Sequence, residues 1–232
     1  MPEVRAVIFD FFGTLTRSVS RGPQHRVVAR ILGCDLNAMI SVLDGSFYPR
    51  ANGSLGSACE QLRWVAERAG GHPDVHDIQA AVHTRIWALH KDTELRPEAV
   101  PTLTALRGVG LRTAVVSDCT HELPALMPRL PVAPLLDACV FSVEVGMCKP
   151  DPAIYAEACR RLDVLPEECL YVGDGGSHEL TGADEVGMTA VRLAAPDLAG
   201  HLTFGADGGW TGPTVTSLLE VPRLVARTPA LV

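Results

Sequence analysis

No apolar run in this 232-residue sequence approaches the ~18 residues that a membrane-spanning helix needs. The first apolar stretch, Val7-Ile8-Phe9, is short and is cut by Asp10, so no signal peptide is legible and a cytoplasmic protein is expected. CxxC pairs are missing too. The seven cysteines (34, 59, 119, 139, 148, 159 and 169) are odd in number and scattered, which argues against a disulfide framework and a cysteine zinc site. Cys139, Cys159 and Cys169 stand in apolar contexts as small core residues, and nothing beside Cys119 would activate its thiol. The net charge is −7 and there is no run of Lys or Arg. A nucleic-acid backbone is therefore not the expected partner, whereas a small anion in a locally charged cleft remains open.

Strands are also scarce early on: none convincing lies between Thr16 and Glu94. Residues 24–33 read as a helix, as does the stretch in which Leu55, Ala58, Leu62, Val65, Ala66 and Ala69 recur at helical spacing before a stop at Gly70-Gly71-His72-Pro73. Val75 to His90 reads as another. Its His76, His83 and His90 share one face but stand about 10 Å apart, too far to hold one metal, and are expected to form a solvated or partly buried face rather than a substrate-binding one.

From Pro97 onwards strand and helix alternate. Helices are expected over Pro97–Gly108, His121–Arg129, Asp151–Leu162, His178–Val186 and Thr214–Ala226; strands over Leu111–Val116, Ala138–Phe141, Cys169–Val172 and Thr189–Leu193. Segment 196–213, rich in Gly and Pro, is expected to be a loop. Such alternation implies an α/β fold, a doubly wound parallel sheet with right-handed crossovers. The length suits one such domain plus a smaller one.

Val4 to Phe9 fits a strand buried on both faces, and Asp10 stands at its carboxyl end, where ligands of open α/β sheets bind, with Gly13 permitting a tight exit. A lone aspartate there is equally explained as a turn former or helix cap. It is not alone. Three later strand-like runs lead to Ser117-Asp118, to Lys149 and to Asp174, at intervals of 107, 32 and 25 residues.

These segments, Asp10-Phe-Phe-Gly-Thr14-Leu-Thr, Val-Val-Ser117-Asp, Lys149-Pro-Asp-Pro-Ala-Ile-Tyr155 and Val-Gly-Asp174-Gly-Gly-Ser-His-Glu179, resemble the four motifs of the haloacid dehalogenase superfamily of hydrolases and phosphotransferases. The resemblance spans roughly residues 4 to 193. It implies a Rossmann-like core, residues 1–16 and 93–232, with a helical cap inserted straight after the first motif, residues 17–92. It also implies an Mg²⁺-dependent phosphatase acting on a small phosphorylated metabolite through an aspartyl-phosphate. In that reading Asp10 is the nucleophile, and Thr14, Ser117 and Lys149 bind the phosphoryl group, with Ser117 and Lys149 counted in the catalytic set. Asp10, the main-chain carbonyl of Phe12, Asp174 and, through water, Glu179 hold Mg²⁺.

One departure stands out. Most phosphatases of the superfamily carry a second Asp two residues after the nucleophile to protonate the leaving group; here that position is Phe12, and a phenyl ring moves no proton. His178, next to Glu179, is a candidate replacement. The departure keeps two alternatives open: a dehalogenase-like hydrolase using Asp10 to displace halide, and a degenerate module that binds without turnover. Retention of Asp174 and Glu179 argues against the first, since halide displacement needs no Mg²⁺. Phosphonate hydrolysis is weakly supported, because Lys91 is the only lysine in the cap region.

Overall fold

The computed structural model describes residues 3–206 and 208–225. Six parallel strands form one sheet in the order β3-β2-β1-β4-β5-β6. They are β1 (Ala6–Phe9), β2 (Arg112–Ser117), β3 (Ala138–Phe141), β4 (Cys169–Gly173), β5 (Thr189–Leu193) and β6 (Thr214–Val215). The chain order reverses beside β1, so the crevice at the carboxyl end of β1 and its neighbours is the place for a ligand.

Alternation along β1 builds two cores. Val7 and Phe9 point to one face, beneath Leu103 and Leu106 of α6 (Ala99–Gly108). Ala6 and Ile8 point to the other, beneath Ile154, Tyr155 and Ala158 of α9 (Pro152–Leu162) and Leu180 of α10 (Glu179–Glu185). All four β1 side chains are fully buried, the condition expected of a parallel strand covered on both faces.

Between β1 and β2 the chain leaves the sheet to form α1 (Gln24–Ile31), α2 (Leu36–Gly45), α3 (Phe47–Ala51), α4 (Ala58–Arg68) and α5 (Val75–Asp92). These helices share a separate apolar cluster that includes Val28, Leu32, Met39, Leu43, Val65 and Ile78. Capping boxes at Ser57/Glu60 and Asp74/Asp77 fix the starts of α4 and α5. An isolated antiparallel bridge, Thr16 to Leu95, ties the exit of this insertion to its return. The remaining helices are α7 (Glu122–Leu126), α8 (Ser142–Val145) and α11 (Val221–Val225).

Residues 36–51, for which the sequence delimits no separate helix within the expected helical insertion, form α2 and α3. One expectation requires correction. Thr214–Ala226, read as one helix, instead opens with the edge strand β6, continues through a single turn at Leu218–Glu220 and ends in the five-residue α11; Ala226 lies outside the described residues. Thr214 and Val215 are β-branched and pair with Arg192 and Leu193, so a sheet neighbour overrides the helical spacing. Among the described residues of segment 196–213, one turn at Pro196–Leu198 interrupts a loop.

Candidate active site

The exit from β1 sets the geometry. Asp10 follows the last strand residue, and a wide turn over Phe11–Leu15 carries the chain away, with Gly13 at φ +77°. A side chain at Gly13 would be strained and would also collide: its Cβ would fall 2.7 Å from His201 Nε2 and 2.9 Å from Asp174 Oδ2. Arg96, itself buried, holds this turn from behind. Its guanidinium donates to the carbonyls of Gly13 (2.9 Å) and Thr14 (3.0 Å) and pairs with Asp197 at 2.6 Å.

Lys149 lies at the centre of the site, 3% exposed, donating to Asp10 Oδ1 at 2.7 Å and to Glu179 Oε2 at 2.5 Å. Glu179 is wholly buried; Tyr171 Oη donates to its Oε2 at 2.8 Å and the amide of Gly175 to its Oε1 at 2.9 Å. Asp174 accepts from the amide of Gly176 at 3.1 Å. One oxygen each from Asp10, Asp174 and Glu179 falls within 4.8 Å of the others. The sequence-predicted acids and Lys149 are thus brought together from β1, β4, α10 and the segment before α9.

Too much negative charge is confined there for one lysine to balance. Burial, with Asp174 adding repulsion, pushes the Asp10 carboxyl up to about 6. Burial and the charge of Glu179 push Asp174 up to about 6, and burial pushes Glu179 up to about 7. Desolvation alone would lower Lys149, but the charges of Asp10 and Glu179 outweigh it and hold the ammonium well above its ordinary range. Three hard oxygen donors with unbalanced charge fit a small divalent cation, which would draw all three acids back to their ionised forms. Asp10, Asp174 and Glu179 would hold it.

The other predicted residues are placed less directly. Ser117 is fully buried at the end of β2 and Thr14 in the turn; neither lines the cavity, and neither hydroxyl has a hydrogen-bond partner. Phe12 does line it, its ring edge-on to Phe11 with centroids 5.0 Å apart. His178 is exposed and outside the cavity lining, which removes the geometric basis for giving it the missing proton transfer.

Two groups without an assigned role stand closer. Asp118 lines the cavity; its Oδ1 accepts from the amide of Lys149 at 2.9 Å while its Oδ2 makes no hydrogen bond of normal geometry, and burial raises its pKa. His201 Nδ1 accepts from the amide of Val19 at 2.8 Å, so Nε2 carries the proton and faces Asp174 Oδ2 at 3.6 Å. No local signal marks His201, in a loop 191 residues from Asp10 (201 − 10). Asp118 could have been found as a carboxylate beside Ser117 at a strand end.

The cavity holds about 170 Å³, room for roughly six water molecules. The helical insertion closes its far side. Phe47 of α3 stacks on Phe204, centroids 4.1 Å apart and planes within 6°, and the amides of Ser177 and His178 donate to the carbonyls of Phe204 and Gly205. In that far wall Arg85 of α5 pairs with Glu122 at 2.7 Å, Arg21 pairs with Asp44, and His25 lies 3.4 Å from Asp92. Arg50 of α3, 5% exposed, is held by Ser46 Oγ and the carbonyl of Leu43.

Comparison with known proteins places this geometry. Residues 4–187 match the profile of the haloacid dehalogenase-like hydrolases. A glyceraldehyde 3-phosphate phosphatase of Methanopyrus kandleri is 36% identical over 56% of this chain and 56% of its own length. An (S)-2-haloacid dehalogenase 1 of a Pseudomonas species is 31% identical over 62% of this chain and 61% of its own. The chain therefore spans somewhat less than two thirds of these relatives. In solved structures, a 2-haloacid dehalogenase of Pseudomonas syringae superposes with a TM-score of 0.70 at 22% identity, covering 97% of this chain and 99% of that one. A phosphatase from Thermococcus onnurineus gives 0.66 at 20% identity, covering 96% and 98%.

Proposed function

The chain belongs to the haloacid dehalogenase-like hydrolases, and from that premise we propose that it is a divalent-metal-dependent phosphatase of a small phosphorylated metabolite. The observation that carries this reading is the buried group of Asp10, Asp174 and Glu179 around Lys149. A halide leaving group has no use for the two additional acids, whereas a phosphoryl group brings negative charge that must be screened from an anionic nucleophile. When bound, Mg²⁺ would supply that screening.

Asp10 attacks phosphorus, forming an Asp10 oxygen–phosphorus bond as the ester oxygen leaves; water then hydrolyses the aspartyl-phosphate. Lys149 orients the Asp10 carboxylate through Oδ1 and neutralises a phosphoryl oxygen. Glu179 and Tyr171 hold Lys149 in place. The unpartnered hydroxyls of Ser117 and Thr14 gain acceptors if phosphoryl oxygens approach them. Asp118, a cavity carboxyl whose Oδ1 is fixed by the amide of Lys149 and whose pKa burial raises, supplies the leaving-group proton that Phe12 cannot. Residues 17–92 act as the cap that keeps bulk water from the intermediate. A cytoplasmic enzyme fits this role; among the described residues no helix is long and apolar enough to cross a membrane.

Phe12 and the dehalogenases among the relatives favour halide displacement as a second reading. A panel of phosphate esters with and without Mg²⁺, run beside chloride release from 2-chloropropionate, separates the two. Mg²⁺-dependent phosphate release is expected; metal-independent chloride release without it would overturn the phosphatase reading.

A further inference from the structure

The far wall of the cavity carries three arginines, and among the described residues only two form an ion pair with a carboxylate. Arg85 is paired with Glu122, Arg21 with Asp44. His25 adds no charge, because burial and the neighbouring Arg85 hold its pKa down to about 4. Arg50 is different. Its Nε donates to Ser46 Oγ at 3.2 Å and one Nη to the carbonyl of Leu43 at 2.8 Å, both neutral acceptors. Of the five guanidinium hydrogens, two are used and three have no acceptor among the described residues. Burial and the charge of Arg85 lower the Arg50 pKa to about 10, and Glu122 and Asp44, each paired with another arginine, offset this only in part; a bound anion relieves that cost.

Its backbone is equally committed: the carbonyl of Arg50 accepts from Gln61 Nε2 at 3.0 Å, which ties α3 to α4. Arg50, on this fixed support, lines the cavity that also holds Asp10, Lys149 and Asp174. We propose that Arg50 anchors a second anionic group of the substrate, a carboxylate carried a few atoms from the phosphoryl group. This rests on the phosphatase reading and narrows it to phosphorylated hydroxy acids. A carboxylate presents two oxygens in one plane and so matches the planar fork of a guanidinium.

Calorimetric titration of the Mg²⁺-loaded protein with phosphonates tests the site without turnover. Phosphonoacetate should bind at least about tenfold more tightly than ethylphosphonate, which lacks the carboxylate. Arg50→Gln should bring the two within about twofold, and Arg50→Lys, which keeps the charge but loses the fork, should fall between. Melting curves and ethylphosphonate affinity show whether each variant retains its fold and phosphoryl site; if Arg50→Gln does not, Arg50→Lys decides by its reduced preference. Equal affinities in the wild type, or an undiminished preference in whichever variant is folded, overturns the Arg50 assignment and leaves the phosphatase reading standing. Tenfold tighter binding of ethylene-1,2-bisphosphonate than of phosphonoacetate overturns the carboxylate. Binding of none of them overturns the phosphoryl site and the proposal together.

Discussion

Asp10→Asn should lower kcat by roughly 10³-fold or more while the melting temperature holds, as measured by phosphate release and calorimetry. Asp10, Lys149 and Asp174 were legible because each follows an apolar run, and a parallel sheet gathers the ends of such runs on one edge; Glu179 was legible only through the resemblance of its motif. Arg96 and His201 were not, because their roles depend on contacts with segments far away in sequence: Arg96 with the Gly13–Thr14 carbonyls, His201 with Val19 and Asp174. Gly13→Ala should be destabilised by at least ~1–2 kcal/mol from the left-handed backbone alone, with the clash against His201 and Asp174 added. Asp118→Asn should slow alkyl phosphates by roughly 10²-fold or more while sparing aryl phosphates, whose leaving groups need little protonation. An equal loss on both classes would remove Asp118 as the acid.

Among the elements, α4, α5 and the strands facing two cores declared themselves by spacing and caps, while α2, α3 and β6 did not. The span of β6 is two residues, and only its pairing with β5 makes it a strand. The contact of α1 with α5 carries a pH dependence. His25 on α1 has its pKa lowered from 6.5 to about 4 by burial and by Arg85. The unfolded chain therefore takes up this proton first as pH falls, and stability drains away between pH 6.5 and about 4. The loss is on the order of 3 kcal/mol over that window. Urea titrations of His25→Asn should show a flatter profile there than those of the wild type. Arg96→Ala, which orphans two buried carbonyls and removes the cation from Asp197, should cost roughly 2–6 kcal/mol at ~1–3 each for the carbonyls, read from the urea midpoint.

At the scale of the molecule, the three converging acids would couple folding to the binding of a divalent cation. A saturating divalent cation bound only by the native state should add about 2.7 kcal/mol at a hundred times its Kd. Mg²⁺ should therefore raise the melting temperature of the wild type, and Asp174→Ala should abolish the rise. An identical shift in both would place the bound ion elsewhere.

The bridge between Thr16 and Leu95 has an architectural outcome as well. It brings the two points where the chain departs from the sheet and rejoins it side by side, and the insertion carries its own apolar cluster. The segment between them has the layout of a cassette: a two- or three-residue splice would close the gap it leaves. A spliced chain of this kind should keep the parallel sheet and lose Arg50 and the far wall, at the cost of the contacts that Phe47 and Arg85 make with Phe204 and Glu122.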